Sequence, residues 1–404
     1  MTNRCIFIVT SQYLPEVGGM GSFLAELAAG FAGRDWETLV IARSSAGSAR
    51  FDSLEGEGSH PRVVYRYPEI PGWDFLTVFL KGLWLIWRRR PPFIIIGNWY
   101  PHALIAFAWR VLTGTPYFVI LHATEFTPHH PSLFKQFVKR LVMKTLPFVL
   151  SKANGLLANS VYTKEVAQQY LGARSHRIAV LHPPVGQSFF EPVDEQMQLQ
   201  IRSQHGLLGK KVIVTIGLLI PRKGFHRILE ALPRILEFEP TAHYLIVGDG
   251  PEREALKKQV VSLGLEATVS FTGSIPYDQM RHYYAVADVF AMICFGLPEE
   301  RQVESFGIVY VEAGATGKAV VASTERGVSD AVVEGVTAVL VDPHDRDSIA
   351  QAIISLLANP AQALAMGAAG RERALLHFTP EAIAGDALDI MAKLLQETGL
   401  PERD

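Results

Sequence analysis

Residues 211–225 read KVIVTIGLLIPRKGF, an apolar run that ends in glycine and continues into Pro221, Arg222, Lys223 and a second glycine. The run Lys211–Gly217 is typical of a buried parallel strand, and a segment of helical period follows the two cations. Similar apolar runs alternate with amphipathic segments on both sides of this stretch. This alternation predicts an α/β fold with parallel sheets.

The predicted strands form two series, and residue 211 is where the second series begins. The first series is Cys5–Thr10, Thr38–Ala42, Val63–Tyr67, Phe93–Gly97, Tyr117–Leu121, Gly155–Ala158 and Ile178–Leu181. The second is Lys211–Gly217, His243–Val247, Val269–Thr272, Val289–Ile293, Ala319–Ala322 and Ala338–Val341. Two series predict two doubly wound, Rossmann-like domains, joined by the segment His182–Glu195. Ligands of such domains bind at the carboxyl ends of the strands, so we expect a cleft between the domains to hold the site.

Length and composition agree with this division. A chain of 404 residues with 49% hydrophobic and 19% charged residues is typical of a globular protein of two domains. We place the first domain at residues 1–190, the second at 191–378 and a C-terminal helix, packed back on the first domain, at 379–404. The two cysteines, Cys5 and Cys294, lie in or beside apolar runs, which argues against a disulfide framework and indicates a reducing compartment. The N-terminal apolar run is too short for a signal peptide, so we expect a cytoplasmic protein.

Charge is distributed unevenly along the chain, although the net charge is only −2. Basic residues predominate in residues 1–185 and acidic residues in the remainder, and Glu125 is the only acidic residue between Phe75 and Lys164. Segments 75–90 and 133–150 mix aromatic, aliphatic and basic residues on predicted helices, which is typical of binding to an anionic membrane surface. The alternative is that the apolar residues cover the sheet while the cations face solvent. We expect no nucleic-acid partner.

A glycine-rich loop follows the first predicted strand. The segment Pro15–Gly21 contains Gly18 and Gly19 and leads into a helix that we expect to begin near Ser22. Glycines there allow backbone amides at a helix N-terminus to approach a phosphate or a sugar, although a structural turn would have the same sequence. The dinucleotide fingerprint G-x-G-x-x-G is absent, which argues against an oxidoreductase.

Arg222 and Lys223 lie at the predicted carboxyl end of a strand and just before a helix. Such a pair suits a diphosphate, because Arg222 can bind it bidentately and Lys223 supplies a compact charge. Two ordinary surface cations are the alternative interpretation.

The segment Glu304–Glu312 has a Glu-x7-Glu spacing. This spacing brings both carboxylates to one side of a helix if Glu304 lies at its entrance, where they can accept hydrogen bonds from sugar and ribose hydroxyls. The amides of Phe306 and Gly307 would be donors at the helix start. Alternatively, Glu304 is an N-terminal helix charge and Glu312 an exposed glutamate, but the apolar neighbours of Glu312 argue for a buried helix.

His122 follows the predicted strand Tyr117–Leu121, where a histidine would face the expected cleft. An ordinary hydrogen-bonded loop histidine fits the same pattern. No group of His, Cys, Asp or Glu residues has the spacing of metal ligands and there is no Asp-x-Asp run, so we expect no cofactor and no required metal.

Together these motifs resemble the retaining glycosyltransferases of family 4, which have the GT-B fold of two Rossmann-like domains facing each other across a cleft. The resemblance covers almost the whole chain and depends on the order and spacing of the motifs as well as on residue types. The likeness is greatest to phosphatidylinositol mannosyltransferases and their relatives. The motifs that carry the resemblance are Gly18-Gly19, His122-Ala-Thr-Glu125, Gly217-x4-Arg222-Lys223-Gly224, Gly248-Asp-Gly-Pro251, Phe271-Thr-Gly273 and Glu304-x7-Glu312.

The resemblance implies a catalytic set of His122, Arg222, Lys223 and Glu304. It also implies that Gly18, Gly19, Gly217, Ile275, Ser305, Phe306, Gly307, Ile308 and Glu312 bind the donor or the acceptor. In detail, it assigns His122 to the transferred sugar, Arg222 and Lys223 to the diphosphate, Ile275 to the base, Glu304 to sugar hydroxyls and Glu312 to the ribose.

By the same resemblance the first domain binds the acceptor, a sugar, a polyol or a lipid-linked molecule, and the second binds the nucleotide sugar. A hexosyl unit of the mannose or glucose type would move from a GDP- or UDP-sugar to an acceptor hydroxyl with retention of configuration. The base remains open between guanine and uracil. The alternative function is that of a sugar-nucleotide epimerase or another non-transferase with the same fold. If the acceptor is lipid-linked, the protein would work peripherally on the inner face of the cell membrane.

Overall fold

The structure is a computed structural model that describes residues 4–15, 18–49, 52, 62–68, 73–123, 126, 146–172, 177–296 and 303–397. The chain divides into two compact units. Unit 1 comprises Met1–Pro184 together with Thr379–Asp404, and unit 2 is Val185–Phe378. The chain enters unit 2 six residues before the predicted boundary at residue 190, because Val185, Phe189 and Phe190 pack into the core of unit 2.

Unit 1 contains a parallel sheet of seven strands in the order β3-β2-β1-β4-β5-β6-β7. Strand β1 lies between β2 and β4, paired with β2 at Ile8↔Val40 and with β4 at Phe7↔Ile94. The strands are β1 Cys5–Val9, β2 Glu37–Arg43, β3 Arg62–Tyr67, β4 Ile94–Ile96, β5 Tyr117–Leu121, β6 Gly155–Ala158 and β7 Ile178–Val180.

The described helices of unit 1 include one that comes from the far end of the chain. They are α1 Gly19–Ala32, α2 Trp73–Arg89, α3 His102–Thr113, α4 Val161–Leu171 and α12 Pro380–Glu397. Helix α12 packs along α1, where the Arg34 Nε donates a hydrogen bond of 2.6 Å to the carbonyl of Glu381. Residues beyond 378 are therefore part of the unit that holds the first strand.

Unit 2 contains a parallel sheet of six strands in the order β10-β9-β8-β11-β12-β13. The strands are β8 Lys211–Ile216, β9 Ala242–Val247, β10 Val269–Gly273, β11 Val289–Met292, β12 Ala319–Ser323 and β13 Ala338–Val341. The helices are α5 Glu195–Gln204, α6 Phe225–Phe238, α7 Arg253–Ser262, α8 Met280–Ala285, α9 Ile308–Ala315, α10 Arg346–Ala358 and α11 Pro360–His377.

The sheet of unit 2 is covered on both faces, which explains why its strands are apolar without interruption. Along β8, Val212, Val214 and Ile216 pack into one hydrophobic cluster, whereas Ile213 packs into the other. Each strand predicted from the sequence is confirmed, and its bounds differ from the prediction by at most one residue. A strand that is buried on both faces needs apolar residues at successive positions, so its sequence is a short apolar run between turn residues. This pattern is easy to recognise in a sequence.

The start of α1 differs from the prediction. The helix begins at Gly19 instead of near Ser22, because the amide of Ser22 already donates the first helical hydrogen bond to the carbonyl of Gly18, at 3.1 Å. Gly18 is thus the N-cap residue of this helix, and Gly19 is its first residue.

Within the described residues, no single helix is long and apolar enough to cross a membrane. Helices α10 and α11 pass that test only when taken together, and they are bent by 99° relative to each other.

Candidate functional site

The turn that follows β8 carries the two cations and is held against the end of β11. Pro221–Lys223 forms one turn of 3-10 helix, and the amide of Phe295 donates a hydrogen bond of 3.0 Å to the carbonyl of Arg222. Gly224 has a φ of 69°, and a side chain there would overlap the carbonyl of Ile293. Only glycine lets the turn pass this close to the neighbouring strand, so Arg222 and Lys223 are positioned by the backbone.

Both cations bind the same carboxylate oxygen. The Arg222 Nη1 lies 2.9 Å and the Lys223 Nζ 2.6 Å from the Oε2 of Glu304. Glu304 is 8% exposed, so these charge-assisted hydrogen bonds are largely shielded from water. The structure therefore brings together three residues that the sequence assigned to one site.

A thiol also donates a hydrogen bond to the Oε2 of Glu304. The Sγ of Cys294, which is fully buried, donates to the Oε2 of Glu304 at 3.6 Å. Burial raises the pKa of the Cys294 thiol to about 12, so it remains a donor at neutral pH. Burial alone would also raise the pKa of Glu304, but the Lys223 ammonium and the Arg222 guanidinium outweigh it and hold this pKa at about 2. Glu304 is therefore ionised at neutral pH.

Glu304 and Glu312 do not share a helix, in contrast to the prediction from their spacing. Helix α9 begins at Ile308, and Gly307 before it has a φ of 82°, which interrupts any helix continuing back to Glu304. Glu312 does lie on a buried helix, as its apolar neighbours indicated, and is 2% exposed. The two carboxylates therefore have different partners.

Glu312 is bound by a tyrosine from another helix. The hydroxyl of Tyr284 on α8 donates a hydrogen bond of 2.7 Å to the Oε2 of Glu312. Burial raises the pKa of Glu312 to about 7, and the Tyr284 hydrogen bond and the Lys223 charge oppose this shift without cancelling it. This carboxyl can therefore exchange a proton near neutral pH, whereas Glu304 cannot.

The remaining residues assigned to unit 2 lie at the carboxyl edge of its sheet or at the start of α9. Gly217 follows β8, and its amide donates to the carbonyl of Val247 at 3.0 Å. Ile275 is half-buried beyond β10. Ser305 and Ile308 are half-buried, and Phe306 is buried with its ring 5.9 Å from that of Phe378.

His122, Gly18 and Gly19 belong to unit 1. His122 directly follows β5 and is 7% exposed. Its ring packs edge-on against that of Phe23 in α1, with 5.8 Å between the ring centroids. Its Nε2 lies 3.2 Å from the carbonyl of Gly97, and burial lowers its pKa to about 4, so the imidazole is neutral at pH 7. Gly18 and Gly19 are exposed at the start of α1, with open space where a side chain would be.

The sequence did not single out Tyr284 or identify Cys294 as a site residue. Both contact the glutamates only because separate strands and helices converge, and neither sits in a local motif. Their one local signal is position, since Cys294 follows β11 and Tyr284 lies on the short helix before it. Within the described ranges, no three His, Cys, Asp or Glu side chains are grouped so as to hold a metal ion.

The raised pKa of Glu312 predicts a pH-dependent stability. The pKa changes from an ordinary value of 4.5 to about 7 on folding, so between these values the folded protein keeps a proton that the unfolded chain has lost. The contribution of Glu312 to the free energy of unfolding should therefore fall as pH rises through this window, whereas His122 and His243, whose pKa values burial lowers to about 4, contribute in the opposite direction. Glu312→Gln removes only the glutamate's contribution. In urea denaturation, the free energy of unfolding at about pH 8 minus that at about pH 5 should therefore be more negative for the wild type than for the variant.

Glu266→Gln is the matched control for this measurement, because Glu266 is an exposed glutamate of the same unit. It should reproduce the wild-type pH dependence. Equal pH dependence in the wild type and in Glu312→Gln would contradict the assignment of a raised pKa to Glu312.

Two family models match the chain, one in each half. The model described as Glycosyltransferase Family 4 matches residues 17–188, and that described as Glycosyl transferases group 1 matches residues 197–373. Among solved structures, HepE of Anabaena in complex with UDP-glucose has a TM-score of 0.76 at 20% identity, covering 97% of this chain and 99% of HepE. That likeness supports the two-domain fold.

Curated relatives match nearly the whole chain or about half of it. The GDP-mannose-dependent alpha-(1-6)-phosphatidylinositol monomannoside mannosyltransferase of Mycolicibacterium smegmatis is 32% identical over 92% of this chain and 94% of its own. The D-inositol 3-phosphate glycosyltransferase of Corynebacterium urealyticum is 34% identical over 54% of this chain and 52% of its own. With motifs, fold and relatives in agreement, the chain belongs to glycosyltransferase family 4 and has the GT-B fold.

Proposed function

We propose that this protein transfers a mannosyl unit from GDP-mannose to a hydroxyl of an inositol-containing, lipid-linked acceptor. The observation that carries the transferase assignment is the convergence of Arg222 and Lys223 on Glu304, at the edge of the sheet where this fold binds ligands. The choice of sugar and base is supported by the mycobacterial relative, which is GDP-mannose-dependent and matches nearly the whole chain. The epimerase alternative has no such support, since both family models describe transferases.

The proposed reaction retains the configuration of the sugar and uses no protein nucleophile. The bond between the anomeric carbon and the diphosphate breaks while a bond from the acceptor oxygen forms on the same face, and the departing diphosphate takes the acceptor's proton. Negative charge grows on the diphosphate during this step. Arg222 and Lys223 would stabilise that charge, and their role is electrostatic.

The other site residues would position the donor and the acceptor. Glu304 and His122 would bind hydroxyls of the transferred sugar, and Glu312 would bind the ribose. In the neutral His122, as its lowered pKa requires, Nε2 donates to the carbonyl of Gly97, so Nδ1 is the ring's hydrogen-bond acceptor. Gly18 and Gly19 would leave the amides of the α1 start open to a phosphate or to the acceptor, since no side chain covers them.

We also propose that α2 docks on an anionic membrane and so brings the protein to a lipid-linked acceptor at the inner face. Leu76, Leu80, Trp84 and Trp87 recur at helical spacing and are 44%, 55%, 44% and 76% exposed. Other α2 residues, such as Leu85, face the core, so this apolar stripe is additional to the one that covers the sheet.

Cations flank the exposed stripe of α2. The Lys81 Nζ lies 4.8 Å and the Arg88 Cζ 5.3 Å from the ring centroid of Trp84. Apolar and cationic groups on one helix face are the combination that interfacial binding uses. Of the second predicted segment, 133–150, residues 133–145 lie outside the described part of the chain, and Leu146, Val149 and Leu150 are buried.

Removing either cation of the site should slow transfer strongly. Arg222→Ala and Lys223→Ala should each raise the barrier by roughly 2–4 kcal/mol, as expected for the loss of a preorganised transition-state donor. Transfer of labelled mannose from GDP-mannose to phosphatidylinositol-type acceptors measures this. Arg234→Ala, which removes an exposed cation paired with Asp347, should leave the rate unchanged. Near-normal turnover in both site variants would rule out the diphosphate assignment.

Transfer should also proceed without a divalent metal. Two cations and a helix start can neutralise the diphosphate, so mannosyl transfer in excess EDTA should match that in untreated enzyme. Full loss of activity in the chelator, restored by magnesium or manganese, would show that a metal shares this role.

Co-sedimentation with phosphatidylglycerol vesicles tests the docking surface. Binding should weaken as salt increases, because its electrostatic part is screened, and Lys81→Glu together with Arg88→Glu should reduce it. Lys257→Glu changes an exposed cation of unit 2 and should bind like the wild type. If the wild type fails to bind at low salt, docking through α2 is wrong, and a soluble acceptor becomes the better hypothesis.

A further inference from the structure

We infer that Glu304 competes with the diphosphate for Arg222 and Lys223, and that this competition favours release of the nucleoside diphosphate product over the intact donor. The inference rests on the function proposed above. It adds a second task to Glu304, beyond binding the transferred sugar. Arg222 and Lys223 stabilise the leaving diphosphate during the reaction, and the second task of Glu304 is to prevent them from binding the released product too tightly.

The charges at the site are the first step of the argument. Arg222 and Lys223 supply two positive charges, and both already bind one oxygen of Glu304, at 2.9 and 2.6 Å. Among the described residues, Glu304 is the only carboxylate that forms an ion pair with either of them. An incoming diphosphate therefore meets cations whose charge is half compensated.

The Glu304 carboxylate is held in place beside the two cations. Its backbone carbonyl packs so closely against Gly327 that any side chain at that position would overlap it. The fully buried Cys294 thiol, which follows β11, donates to the side-chain Oε2 of Glu304. Because the pKa of Glu304 is held at about 2, its negative charge is also not removed by protonation during turnover.

Donor and product differ in charge where they meet this carboxylate. In a nucleotide sugar both phosphates are esterified, and each carries one negative charge. Loss of the sugar frees the terminal phosphate. Once this phosphate has released the proton that it took from the acceptor, it carries up to one further charge near neutral pH. Repulsion from Glu304 is thus stronger for the product than for the donor, and the donor alone gains hydrogen bonds to Glu304 through its sugar hydroxyls. One carboxylate thereby favours entry of the donor and departure of the product.

A purely structural role for Glu304 predicts the opposite result. If the carboxylate only holds Arg222 and Lys223 in position, then neutralising it disorders them, and GDP binds more weakly. If it competes with the diphosphate, neutralising it frees both cations, and GDP binds more tightly. The sign of the change separates the two roles, and misfolding cannot produce the tightening.

Calorimetric titration of GDP and of GDP-mannose into the wild type and Glu304→Gln tests the inference. We expect GDP to bind about tenfold more tightly to the variant, the scale of one charge-assisted hydrogen bond regained by the ligand. GDP-mannose should gain less, and mannosyl transfer should fall. A stopped-flow chase should show slower GDP dissociation from the variant.

A double variant and a matched control test the interpretation further. In the Lys223→Ala background, Glu304→Gln should tighten GDP binding by a smaller factor, because one of the two freed cations is missing. Glu254→Gln, which breaks an exposed ion pair with Lys257 in the same unit, should leave GDP affinity unchanged.

Unchanged or weaker GDP binding by Glu304→Gln, with a cooperative unfolding transition showing that the variant is folded, would overturn the inference and leave the proposed function intact. The same holds if GDP-mannose gains as much affinity as GDP. Failure of the wild type to bind either GDP or UDP would instead remove the proposed function, and this inference with it.

Discussion

The local structure of the site depends on the neutralisation of one buried carboxylate. An uncompensated Glu304 at 8% exposure would be strongly destabilising, so cations have to reach it from another part of the chain. Arg222 and Lys223 do so only because Gly224 allows their turn to pass over the end of β11. The ion cluster thus joins the turn after β8, the end of β11 and the segment before α9 into one arrangement.

The same arrangement sets two glutamates eight residues apart into different electrostatic states. Cations control Glu304 and hold its pKa at about 2, whereas burial controls Glu312 and raises its pKa to about 7. For Glu304 the controlling neighbours are Lys223 and Arg222, which are distant in sequence. For Glu312 the hydrogen bond from Tyr284 only partly offsets the effect of burial. A fixed negative charge and a titratable carboxyl therefore lie on either side of Gly307 in the sequence.

The strands could be predicted closely because each is buried on both faces and reads as an uninterrupted apolar run between turn residues. The family resemblance also predicted one site for Arg222, Lys223 and Glu304, and the structure brings their side chains into contact. What spacing alone could not reveal was the backbone conformation at Gly307, whose positive φ separates Glu304 from the helix that carries Glu312. The roles of Tyr284 and Cys294 could not be predicted for a related reason. Their contacts with the glutamates form where elements that are separate in sequence meet, and a local motif contains no information on such contacts.

Unit 1 is built from two stretches of chain, and unit 2 is inserted between them. The two connections lie side by side, with the amide of Val185 donating to the carbonyl of Phe378 at 2.7 Å. During synthesis, unit 2 is available in full once residue 378 has emerged, whereas α1 waits for α12 to cover it. The first unit to be translated is thus the last to be completed, and until then the face of α1 that α12 covers needs protection from aggregation.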